Sequence, residues 1–177
     1  KTAAENGFLL AKYEYGLKLY REQNNIEQAV HWLYLASKGE LEQAQYRLAR
    51  LLLDSPWIIK DEKKAMFWLK EASNQGHIFA KQKSAEIKIL SNDQAIQDIK
   101  GAIGILNEIA VQQEEDPQYQ YLQAMVHAKK EDRELPKAVK YIRSAIKLAN
   151  GLNWDITPWQ AQLNRWTSGG VVTIQDN

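Results

Sequence analysis

The chain has 177 residues, enough for one domain with a core or for several small stacked units. Its 23 Lys and Arg against 22 Asp and Glu leave a formal net charge of +1, which gives no general attraction to nucleic acid or anionic lipid. It has no cysteine, which excludes a disulfide framework, a thiolate zinc site and a cysteine nucleophile, and no apolar run of the length (about 18 residues) that spans a membrane. Because it starts at Lys1 rather than Met, it is expected to be a processed or trimmed product.

In chain order, the first predicted helix carries Ala11, Tyr13 and Tyr15. The second opens after Asn25 and places Ala29, Trp32, Leu33 and Ala36 at i, i+3, i+4 and i+7, one face of an α-helix, before Gly39. The third returns to the first pattern with Ala44, Tyr46 and Leu48. The fourth returns to the second, with Asp61, then Ala65, Trp68, Leu69 and Ala72, then Gly76. The fifth, "AKQKSAEIKIL", keeps Ala80 but has Gln82 and Ser84 where its sisters have large side chains. The sixth follows Asp98 with Ala102, Ile105, Leu106 and Ile109, lacks the closing glycine and ends in "VQQEEDP", so its exit is expected to differ. The seventh starts at Pro117 and carries Tyr119 and Tyr121; the eighth follows Glu134 with Ala138, Tyr141, Ile142 and Ala145, and then Gly151.

The alternate helices thus recur. Ala29, Ala65, Ala102 and Ala138 are 36, 37 and 36 residues apart, and Ala11, Ala44, Ala80 and Pro117 step by 33, 36 and 37. Each unit is a hairpin of a helix A and a helix B, in which small alanines let backbones approach closely and Tyr, Trp and Leu fill the rest. One hairpin cannot bury its apolar face alone, so neighbours must stack. The predicted fold is all-α, a solenoid of about four hairpins over residues 1–151, right-handed by analogy with other helix-hairpin repeats.

Asn25, Asp61 and Asp98 suit the N-cap of helix B, because their side-chain oxygens accept orphan N–H groups of the first turn. Glu134 is a poor cap, but Pro136 suits a first turn. Gly39, Gly76 and Gly151 are expected to supply the left-handed residue that ends a helix. Residues 152–167 form a capping helix over the fourth hairpin, with Thr157 as N-cap, Pro158 next and Trp159, Leu163 and Trp166 at helical spacing. The tail 168–177, "SGGVVTIQDN", is a flexible end or a short strand.

These residues carry a resemblance. "AKYEYGLKLY…IEQAVHWLYLASKGELEQAQYRLARLLL" and "IKDEKKAMFWLKEASNQGHIFAK" resemble Sel1-like repeats, relatives of the tetratricopeptide repeats, most clearly over Ala11–Leu90. "YGLKLY" keeps the family's helix A glycine at Gly16, which Ala49 and Ala85 replace later, and "ASNQGHIFA" keeps the Ala-Ala-x-x-Gly-His step in modified form. The chain departs from the cysteine-rich branch of that family. The resemblance implies an interaction scaffold rather than an enzyme, in bacteria often exported for envelope assembly or secretion; a periplasmic or otherwise exported location is favoured on that ground alone, a cytoplasmic one being the alternative.

By the same resemblance, helix A lines a concave surface. One lane of it reads Glu14, Arg47, Lys83 and Gln120; the next reads Leu17, Arg50, Glu86 and Gln123; a third reads Lys12, Gln45, Lys81 and Gln118. Glu14, Arg47, Arg50, Lys83, Glu86 and Gln120 are therefore the candidate partner-binding residues, with Arg47 and Arg50 able to grip carboxylates through paired donors. The expected partner is a protein or an acidic peptide. The alternative is an envelope glycan, peptidoglycan or exopolysaccharide, on aromatic platforms such as Trp57, Tyr20 and Trp154. Trp57, in "DSPWIIKD", is expected to plug a gap between units, or else to stand exposed for a partner.

No catalytic motif, metal-binding pattern or cofactor signature is present, so no enzyme activity, metal or cofactor is expected. His31, His77 and His127 stand singly, and His77 is expected to support the Gly-His turn. "EED" (Glu114–Asp116) is expected to be a solvated loop, and Gly104 to sit in a helix where a neighbour packs close.

Overall fold

The computed structural model describes residues 3–23, 25–129 and 133–168. Among these, nine helices follow one another: α1 (Ala3–Arg21), α2 (Ile26–Lys38), α3 (Glu42–Asp54), α4 (Glu62–Asn74), α5 (Ile78–Leu90), α6 (Ile99–Gln113), α7 (Pro117–Lys129), α8 (Leu135–Gly151) and α9 (Thr157–Thr167). The all-α repeat of A and B helices is the one the periodicity predicts. No described helix is long and apolar enough to cross a membrane. The predicted tail lies outside the described residues beyond Ser168. The chain divides into two compact units, Lys1–Ser84 and Ala85–Asn177, with the division inside α5.

In the first unit α1 packs on α2, α2 on α3 and α3 on α4. The buried stripe of each B helix is the predicted one: Ala29, Leu33 and Ala36 in α2, and Ala65, Leu69 and Ala72 in α4, all without solvent exposure. Trp68 is buried at 8 % exposure, whereas Trp32 is only half-buried and meets Tyr15 edge-on at 5.6 Å. The close approach of α1 and α2 depends on Gly16, where a Cβ would lie 2.9 Å from Leu33 Cγ and 3.1 Å from the Ala29 carbonyl oxygen.

A buried amide adds specificity to the apolar contacts. Gln45 donates from Nε2 to the Ser37 carbonyl at 3.2 Å and accepts from Gln75 Nε2 at 2.9 Å, joining α2, α3 and the end of α4. Both ends of the amide are satisfied, which a buried polar group requires.

The caps follow the chemistry of their side chains. Asn25, Asp61 and Asp98 accept from the backbone N–H of Gln28, Lys64 and Gly101 at 3.0, 2.9 and 2.8 Å, while Glu134 makes no side-chain cap bond. Helix ends differ from expectation at two glycines. Gly76 is left-handed (φ 91°), but at the end of α2 the left-handed residue is Glu40 (φ 66°), and after α8 it is Asn153 (φ 57°). Gly39 serves close packing instead, because a Cβ there would overlap Leu9 Cδ2.

In the second unit α6 packs on α7, α7 on α8 and α8 on α9. Ala102, Leu106 and Ile109 of α6 and Ala138, Ile142 and Ala145 of α8 continue the buried stripe. The exit of α6 does differ: Asp116 accepts from Tyr119 N at 2.7 Å and caps α7, and Gln120 Nε2 donates to the Glu114 carbonyl at 2.6 Å. Gly104 is exposed and, contrary to expectation, no described residue packs close to it. In α9 the first helical residue is Thr157 itself, and Asp155 performs the capping by accepting from Thr157 N at 3.0 Å. Trp159 of α9 stacks on Tyr121 of α7, with centroids 5.1 Å apart and planes 12° from parallel.

Candidate interaction surface

The exposed A-helix face of the first unit is built from α1 and α3. Tyr13 and Tyr20 stand seven residues apart, two turns along one face of α1. Arg47 of α3 reaches toward them, its guanidinium carbon 5.9 Å from the Tyr20 ring centre, at the outer limit of a cation–π contact. Burial pushes the Tyr13 phenol above its ordinary pKa, and the nearby Arg47 charge pulls against that rise. Tyr20 is fixed in turn: its hydroxyl donates to Ser55 Oγ at 3.0 Å and its ring meets Trp57 edge-on at 5.5 Å.

Arg47 differs from the other basic groups of this face. Its Nε is buried and meets no acceptor among the described residues, and no carboxylate lies within ion-pair distance. Arg50 by contrast is already engaged, donating to Asp54 Oδ2 at 2.5 Å and to the Tyr46 hydroxyl at 3.3 Å. Arg21 lies 3.9 Å from Glu14, both largely exposed. Arg47 is thus a cation held by packing rather than by a carboxylate, as is Lys12, whose Nζ lies 4.2 Å from the Phe8 ring centre.

The remaining candidates fall in different surroundings. Lys83 is half-buried on α5 in the first unit. In the second unit Glu86 accepts from Gln118 Nε2 at 3.4 Å, and Gln120 is buried at 8 % exposure with its amide committed to the Glu114 carbonyl. Gln45, in the third lane, is core rather than surface at 2 % exposure. The structure thus brings Arg47 and Arg50 together on α3 and places Gln120 in a turn-stapling role.

Several features escape a reading of lanes alone. The tyrosines around Arg47 are one, although their i, i+7 spacing was a usable signal. Trp57 is 50 % exposed and packs on Tyr20 rather than filling a buried gap. His77 does support its turn: Nδ1 accepts from Ala80 N at 3.1 Å, the ring lies 4.5 Å from that of Tyr46, and burial holds its pKa below the ordinary value. Among the described residues no group of three or more His, Asp or Glu is placed to hold a metal ion.

Comparison with known proteins identifies the repeats. Residues 8–40 and 42–77 match the Sel1 repeat, so the chain carries two Sel1 repeats in its first half. It is similar in structure to a protective antigen present in uropathogenic Escherichia coli strains that displays an SLR fold, with TM-score 0.65 and 15 % identity over 97 % of this chain and 44 % of that one. It is also similar to a Sel1 repeat protein from Oxalobacter formigenes, with TM-score 0.59 and 24 % identity over 92 % of this chain and 46 % of that one. At such identities the likeness shows the fold, and the chain spans less than half the length of either protein. No curated protein matches the chain.

Proposed function

We propose that this chain of Sel1 repeats is a protein-interaction scaffold, and that its first unit holds a carboxylate-bearing peptide on the A-helix face at Arg47. The observation that carries this reading is the state of Arg47: a charged donor, packed against Tyr20 and near Tyr13, with its Nε buried and no acceptor. A bound carboxylate would pair with the outer N–H donors of this guanidinium, which no protein carboxylate occupies among the described residues. Arg50 is already paired with Asp54, so the added positive charge in this reading is that of Lys83, which steers an acidic partner more than it tightens the complex. Glu14, Glu86 and Gln120 have lesser parts in this reading, Gln120 because its amide is spent within the protein.

Affinity capture from source-cell extract tests it, wild type beside Arg47→Glu/Lys83→Glu, read by mass spectrometry. A protein held by the wild type and lost from a double variant of unchanged helical content supports the scaffold. Capture that survives the charge reversal refutes this surface. Assignment to bacterial envelope assembly or secretion rests on the family resemblance, and fractionation of source cells tests it.

A second reading, a glycan-binding module, is favoured by one observation in the second unit. Trp154 is 45 % exposed, and its ring centre is 6.3 Å from that of Trp159, which stacks on Tyr121. The exposed Trp154 ring, tilted 60° from that of Trp159, is a single aromatic platform of the kind on which a sugar stacks. A polysaccharide pull-down indifferent to Trp154→Ala would count against it.

A further inference from the structure

A groove of about 600 Å3 opens in the first unit between the start of α2, the end of α3 and the 55–61 loop. Ile26, Val30, Leu52, Trp57 and Ile59 supply apolar walls. Ile59 is 92 % exposed and Trp57 50 %, neighbouring large apolar side chains left in water beside a concavity. Such contiguous exposure marks an interaction site rather than ordinary surface. The loop that presents them is pinned: Ser55 Oγ accepts from Trp57 N at 3.2 Å and from the Tyr20 hydroxyl, and Asp61 N donates to the Leu52 carbonyl at 2.9 Å.

The charges at the rim specify what would enter. Lys64 pairs with Asp61 at 3.1 Å, and Lys60 pairs with Glu62 at 2.6 Å. Glu27, on the wall formed by α2, has no cation within ion-pair distance among the described residues. The groove is thus apolar within, and Glu27, in the first turn of α2, is a rim carboxylate with no cation partner among the described residues.

We infer that this groove is a second docking site, taking a peptide that inserts a large apolar side chain and sets a Lys or Arg beside it against Glu27. The apolar anchor supplies affinity through buried area, and the cation fixes orientation. This partner is opposite in charge to the one proposed for Arg47, so the two sites call for different ligands and are tested apart.

A phage library of random dodecapeptides, selected on the immobilised full chain, is the test. Enriched peptides should share a large apolar residue next to Lys or Arg. As synthetic peptides they should bind Ile59→Ser at least about ten-fold more weakly, since burying an Ile side chain is worth about 1.5–3 kcal/mol. Glu27→Lys should remove the basic preference, by about five-fold, the scale of an exposed ion pair. Both positions are exposed, and circular dichroism checks that the variants keep their helices. No enrichment, or enriched peptides indifferent to both substitutions, would overturn the inference. So would sedimentation showing a dimer that Ile59→Ser dissolves, because the groove would then belong to a second copy of the chain.

Discussion

Gly16 and Leu33 lie so close that a Cβ on the glycine would stand 2.9 Å from Leu33 Cγ. This contact sets how near α1 comes to α2. Ala49 and Ala85, which replace the glycine in the later repeats, are fully buried. Gly16→Ala gains about 1 kcal/mol of helix propensity but overpacks a contact, at about 1–3 kcal/mol, so a net destabilisation of up to about 2 kcal/mol is expected. Gly104→Ala should do the reverse. Its Cβ would meet open space within a helix, and about 0.5–1 kcal/mol of added stability is expected. Urea unfolding of the two variants distinguishes them, and the same sign for both would contradict the packing described.

The repeat register makes its own demand. Trp68→Ala should cost about 3–5 kcal/mol, because the ring is buried against its neighbours. Ala65→Leu, at a position with no exposure, should cost about 1–3 kcal/mol through overpacking. Thermal melting checks both, and unchanged curves would mean that the B helices face another way.

His77 ties stability to pH. Burial lowers its pKa from the ordinary 6.5, Glu42 opposing in part, so the unfolded chain binds this proton more readily than the folded one. Its contribution is therefore present above pH 6.5 and lost as pH falls through that value toward the depressed folded one. His77→Asn keeps a side-chain acceptor at the cap without titrating. The wild type should lose more stability than this variant between pH 7.5 and pH 5.5, as read by urea midpoints. Equal losses would show that His77 carries none of the effect.

Much of the fold was legible because buried positions recur at one spacing. Ala29, Leu33 and Ala36 have the same burial as Ala65, Leu69 and Ala72, and a repeated environment writes a repeated residue. Caps were legible for a local reason: a side chain three residues from its N–H partner needs no distant information. Helix ends were less so. Left-handed φ at Glu40 and Asn153 depends on how the chain leaves the helix, while Gly39 answers to Leu9 across the hairpin.

The candidate surface was legible only in part, because charge pairing decides it. Arg47 and Arg50 look alike in sequence. Asp54 neutralises Arg50 at i+4, a signal present in the sequence, whereas the neighbour of Arg47 is Tyr20 on another helix. Gln120 and Gln45 read as surface polar residues, yet each turns inward to satisfy a backbone carbonyl.

The Nε–Hε resonance of Arg47 in a 1H–15N spectrum reports directly on whether Arg47 holds a carboxylate, with Arg47→Lys providing the assignment. Carboxylate binding at Arg47 predicts a saturable shift of that resonance when a glutamate-rich peptide is added, and none with the glutamine-substituted peptide. A resonance unmoved by either peptide, or moved equally by both, would contradict it.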